Sequence, residues 1–160
     1  MMNDMVYITS MADAIVGFSI PERHYSKSWP KKGARLPVEK NILREAIYQP
    51  GVEYLFKSGI LYIEDMDFKI ELGLEEEGVN ENTANILKLD DKLAARIIKL
   101  MPINEAKATL AKLSPDQKQE LFVYAVNHYG DLDMSRIDLI NNTCGVDLLK
   151  AIQAKKDLED

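Results

Sequence analysis

Cysteine is nearly missing from this sequence: Cys144 is the single one in 160 residues. One thiol allows no intramolecular disulfide, and a cysteine-based zinc site is excluded with it. Histidine is almost as scarce, and neither His24 nor His128 has a second His or Cys at ligand spacing. Both read as surface or cap residues rather than metal ligands. Gly-x-Ser-x-Gly, Gly-x-Gly-x-x-Gly and Gly-x-x-x-x-Gly-Lys are all absent, which removes the serine-hydrolase elbow and two phosphate-cradling loops. Apolar runs such as Ile60-Leu61-Tyr62-Ile63 fall far short of the about 20 residues that a membrane span needs. The start, MMNDMVYITS, has no basic region followed by a long apolar stretch, so no secretion signal is expected and a cytoplasmic setting is. No cofactor, metal or membrane is called for.

What is present suits a folded chain. Apolar residues make up 46% and charged residues 29%, enough for one good core or two small subdomains. The formal net charge of −6 is unevenly spread. Residues 23–57 hold eight bases and three acids, whereas residues 58–91 hold two bases and ten acids. Such segments can pair internally or present opposite faces to neighbouring copies. The net acidity argues against loose attraction to phosphate backbones.

Val6–Thr9 and Ile15–Ile20 are β-prone runs, the second closed by Pro21. Tyr25–Trp29 alternates aromatic and polar residues before Pro30 and reads as an edge strand, with residues 31–35 as a turn. Pro37 can open a helix carrying Ile42, Leu43, Ala46 and Ile47. Pro50-Gly51 stops it, Val52–Lys57 forms a second short helix, and Ile60–Ile63 returns as a strand. Phe68–Leu74 reads as a helical turn or short strand, and Glu75–Asn85 as a polar loop and domain boundary. From Asp90 the period is helical: Leu93, Ile97 and Leu100 form one stripe, and Ala106, Leu110 and Leu113 the next. Ser114-Pro115-Asp116-Gln117 spells a capping box with proline at the first helical position. Leu121, Phe122, Ala125, Val126 and Tyr129 give its apolar face, Gly130 its expected stop, and Asp133 the cap of the next helix. The expected fold is α+β: residues 1–78 a small β-sheet unit with two short helices, residues 79–160 a helical bundle.

Two surfaces stand out as candidates. Tyr7, Phe18, Tyr25 and Trp29 on short strands, with Lys31, Lys32 and Arg35, form a candidate interface of aromatic anchors and cations. Glu64, Asp65, Asp67, Glu75, Glu76 and Glu77 form a candidate acidic face. The basic 27–44 segment also supports a second reading, nucleic-acid binding with Trp29 stacking on a base. Residues 38–57 resemble a helix-turn-helix with the Ile60 strand as a wing, but VEYLFK lacks the Arg, Lys, Asn or Gln of a recognition helix. Asp65, Asp67 and Lys69 resemble part of a magnesium nuclease site. Such a site needs another acid from an adjacent element, no Pro-Asp motif occurs upstream of Asp67, and a solvated strand end is the simpler reading.

WPKKG at 29–33, PGVEYLFKSGILYI at 50–63, LGLE at 72–75 and CGVDLLKAI at 144–152 make the chain similar to small virion-associated proteins of tailed bacteriophages and prophages. The resemblance implies a non-enzymatic structural or assembly protein of a capsid, neck or tail. Its partners would be other virion proteins or copies of itself. Its location would be the virion, and the host cytoplasm during assembly.

Overall fold

Met5–Ser10 (β1) buries Val6 and Ile8 and turns Tyr7 to solvent, the period-two alternation of a half-buried strand. In the computed structural model, which describes residues 4–80 and 83–159, β1 is the middle strand of a three-stranded antiparallel sheet. Its neighbours are Arg35–Glu39 (β4) and Leu61–Ile63 (β5). Val16–Ile20 (β2) and Tyr25–Trp29 (β3) form a separate antiparallel pair, joined by a short 3-10 turn at Pro21–Arg23. His24 closes that turn at φ 53. The short helices Lys40–Ala46 (α1), Val52–Lys57 (α2) and Met66–Glu71 (α3) complete the first unit. Gly51, at φ 82, makes the turn into α2, where a residue with a Cβ would be strained.

The two sheets share one core. Trp29 is completely buried, and its indole Nε1–H donates to the Ile8 carbonyl of β1 (2.9 Å). Around it the Phe18 ring lies 5.7 Å from Trp29 and 6.2 Å from Phe56. Leu43, Leu61 and Ile63 close the cluster. At Gly17 a Cβ would stand 2.4 Å from the Lys27 carbonyl oxygen of β3, so only glycine lets the two strands approach there.

The chain divides into Met1–Lys88 and Leu89–Asp160, whereas the polar composition placed the division at 78/79. Residues past Glu75 remain tied to the first unit. The buried Glu75 carboxylate accepts the backbone N–H groups of Asn85 and Ile86 at 3.0 Å, and Ala84 and Ile86 are buried. Of the expected loop, residues 81 and 82 lie outside the described residues.

The second unit is helical. Asp91–Ala95 (α4) runs into a π-helical turn at Arg96–Leu100, followed by Ile103–Lys112 (α5), Pro115–Asn127 (α6), Met134–Cys144 (α7) and Leu148–Glu159 (α8). Both halves of the Ser114–Gln117 capping box form, and the Asp133 side chain accepts from the Arg136 N–H. The fold is thus α+β, with strands first and helices last.

Three local expectations change. Pro37 does not open a helix but sits in β4, an outer strand where its missing N–H costs nothing. The helix begins at Lys40 instead. Leu100 is 71% exposed, while Ile98 and Met101 are buried beside Ile97. The cause is the π turn: the Met101 N–H donates to Arg96 O at 2.7 Å, five residues back, which shifts the buried stripe. Gly130 lies within a 3-10 turn and does not end α6; His128 does. Arg136, also buried, satisfies the orphan carbonyls of Ile97 and Met101 at the end of the π turn.

Two substitutions test this packing by urea denaturation. Trp29→Ala should cost about 3–5 kcal/mol from lost apolar burial, and Trp29→Phe should still cost a measurable part of it, because the buried hydrogen bond to Ile8 O is then lost. Arg136→Met should destabilise the second unit by about 1–3 kcal/mol, since it strips hydrogen bonds from two buried carbonyls.

Candidate functional site

The polar groups the sequence offered for chemistry are mostly occupied in holding the fold. Asp65 caps α3 by accepting the Phe68 N–H at 3.0 Å, and one of its oxygens lies 3.9 Å from Lys40. Lys69 is buried with Nζ 4.1 Å from the centre of the Tyr62 ring, a cation–π contact that turns it inward. Asp67 is exposed. A metal-dependent nuclease centre therefore finds Asp65 and Lys69 already engaged. Among the described residues no group of three or more His, Cys, Asp or Glu is arranged to hold a metal ion.

Cys144 borders a shallow cleft of about 380 Å³ in the second unit, between Pro115, Lys118 and the Asn142–Val146 turn. Burial pushes its thiol above the ordinary value, against the opposing pull of the Lys118 charge. A thiol held protonated is a poor nucleophile.

The candidate acidic face does not form as expected. Glu75 is buried under its backbone donors. The Glu64 carboxylate accepts from Thr9 Oγ1 at 2.7 Å and from Lys88 Nζ at 2.9 Å. Only Asp67, Glu76 and Glu77 of the six are exposed without such engagements in the described contacts. The opposite charges of the two segments meet inside the first unit instead. Lys40 faces Asp65, and Arg44 grips Glu71 at 2.6 and 3.1 Å. These pairs contribute little stability individually, and they engage two of the basic segment's eight cations.

The candidate interface is likewise redistributed. Trp29 and Phe18 are core residues and cannot anchor a partner, because the β2–β3 pair folds its aromatic face onto α1 and α2. Tyr25 is half-buried against Phe18. Lys31 is exposed and Lys32 half-buried in the turn after β3. Tyr7 and Arg35 do come together: the Arg35 guanidinium lies 3.8 Å over the Tyr7 ring on the outer face of the β4-β1-β5 sheet. Thr9, Glu64 and Tyr62 share that face, so the structure joins one residue of the acidic set to two of the interface set.

A second surface went unnoticed in the sequence. Beside β2 runs an open groove of about 370 Å³ between Gly17–Ser19 and the Gln49–Val52 turn, walled by Pro21, Pro50 and Leu55. No charged residue lines it. Among the described residues β2 pairs with β3 alone. In the same unit Ile15, Tyr48 and Tyr54 are 75%, 86% and 54% exposed. Tyr48 carried a signal, since it falls outside the helical stripe of Ile42, Leu43, Ala46 and Ile47. Ile15 carried none, because it reads as the first residue of a strand.

No helix among the described residues is long and apolar enough to cross a membrane. Comparison of the chain with protein-family models, with curated proteins and with solved structures gave no match.

The Glu64 cluster predicts a pH effect. Burial alone would raise this carboxyl, but the hydrogen bonds from Lys88 and Thr9, with the Lys88 and Arg35 charges, outweigh it and hold the group below its ordinary value of 4.5. The resulting stabilisation is present above that value and is lost as pH falls through the lower folded one. Urea midpoints measured from neutral to acid pH should therefore fall less steeply for Glu64→Gln than for the parent protein; parallel curves would show no such coupling.

Proposed function

We propose that this chain is a non-enzymatic assembly protein that works through protein–protein contacts, as a capsid, neck or tail component of a tailed-phage virion. The observation that carries the contact role is the uncharged groove beside the unpaired edge of β2, in a unit that also exposes Ile15, Tyr48 and Tyr54. An open strand edge and exposed aromatic and apolar side chains in one unit favour strand addition and anchoring contacts. The virion setting is supported by the resemblance of the WPKKG, PGVEYLFKSGILYI and CGVDLLKAI stretches to phage proteins. Against an enzymatic role stand the engaged states of Asp65 and Lys69 and the burial that keeps the Cys144 thiol above its ordinary value.

Mass spectrometry of purified particles, with a pull-down by tagged protein from producing cells, tests the reading. The expected outcome is the chain in the particle and capture of identified virion proteins. Absence from particles together with low-salt DNA binding that Lys31→Glu/Lys32→Glu abolishes would replace it by the nucleic-acid reading.

A further inference from the structure

We propose that residues 84–88 are a releasable strap: they open as a local unit while the β4-β1-β5 sheet stays folded, and their opening lengthens the tether between the two units. The inference goes beyond the assembly role above and does not depend on it.

The elements on either side of the strap end on their own bonds. At the end of α3 the Gly73 N–H donates to the Ile70 carbonyl at 3.0 Å and the Leu74 N–H to the Lys69 carbonyl at 2.9 Å, which closes the helix locally. α4 begins on its own cap, with the Asp90 side chain accepting the Leu93 N–H at 2.8 Å. Neither helix needs the intervening residues in place. Those residues have the composition of a linker: 76–85 read EEGVNENTAN, with Val79 and Ala84 the only apolar side chains. Composition and structure divide the chain at different places because a linker-like segment is fastened onto the first unit.

The fasteners are side chains. The Asn85 and Ile86 N–H groups donate to the Glu75 carboxylate, not to a strand or helix; Asn85 reaches both oxygens and Ile86 reaches Oε2, each at 3.0 Å. Lys88 Nζ is held by Glu64 at 2.9 Å. Ile86 is the only large side chain of the five that is buried: Ala84 is buried but small, Leu87 is half-buried and Asn85 is exposed. β1, by contrast, is bonded to a strand on each side. Releasing the strap therefore gives up the bonds to one carboxylate, one ion pair and one large apolar contact, with the sheet ladder untouched. That is the make-up of a low-lying local opening. Once released, residues 76–88 behave as a flexible coil whose ends lie roughly 20 Å apart on average.

Native-state amide hydrogen exchange on the full chain tests the strap, and small-angle X-ray scattering tests the tether. The Asn85 and Ile86 amides should exchange at least tenfold faster than those of β1, through an opening that low urea barely accelerates. Trp29→Phe, which weakens the sheet core, should speed exchange in β1 and leave Asn85 and Ile86 unchanged. Glu75→Ala removes the acceptor; it should strip those two amides of protection tenfold or more, keep β1 protected, and raise the radius of gyration. Asn85 and Ile86 exchanging together with β1 in one cooperative opening, in the parent protein and in Trp29→Phe alike, overturns the strap. Loss of β1 protection in Glu75→Ala does the same. Free exchange of the two amides in Glu75→Ala with no rise in the radius of gyration overturns the longer tether.

Discussion

The first unit depends on one hydrogen bond in a dry place, from the Trp29 indole to the Ile8 carbonyl. Trp29 belongs to β3 and Ile8 to β1, so this contact joins two sheets that share no strand. A two-stranded ribbon alone is at best marginally stable. Here it is fixed because burying the indole satisfies its N–H and removes on the order of 200 Å² of ring surface from water. Phe18, Phe56 and Leu43 then have a wall to pack on. Close approach at Gly17 completes the fit, since a side chain there would meet the β3 backbone.

That pinning has a consequence for function. With Trp29 and Phe18 drawn inward, the β2–β3 pair keeps only the half-buried Tyr25 as a partly exposed aromatic. What it leaves outside is the neutral backbone edge of β2 and the groove against Gln49–Val52. The same economy governs charge: the acidic stretch after β5 caps α3, grips Lys88 and clamps residues 85 and 86, so its carboxylates act mainly as internal fasteners. On the proposed reading, that edge and groove would meet a partner through backbone pairing and a few exposed apolar residues.

Much of the fold was legible because its signals are local. The Ser114–Gln117 box, the Asp133 cap, the Pro50-Gly51 stop and the alternation of Val6 to Thr9 each need only neighbours in sequence to be read. Pro37 misled because a fixed φ suits a helix start and an outer strand alike, and only pairing with Tyr7 decides between them. Leu100 misled because a π turn inserts a residue that no periodicity announces. The candidate site was less legible. Trp29 beside five cations looks like a contact residue until Ile8, twenty-one positions away, supplies an acceptor. Glu75 looks solvated until Asn85 and Ile86 supply donors. Whether a side chain is a tool or a fastener is set by partners distant in sequence, and composition cannot name them.

Native-state hydrogen exchange by NMR, with the Trp29 indole N–H followed alongside the backbone, tests the pinning of β2–β3 to β1 most directly. If the indole contact holds the ribbon, the Trp29 Nε1–H and the inward amides of β3 exchange as slowly as those of β1, through the same cooperative opening. Fast exchange of the indole and of β3 while β1 stays protected would contradict it.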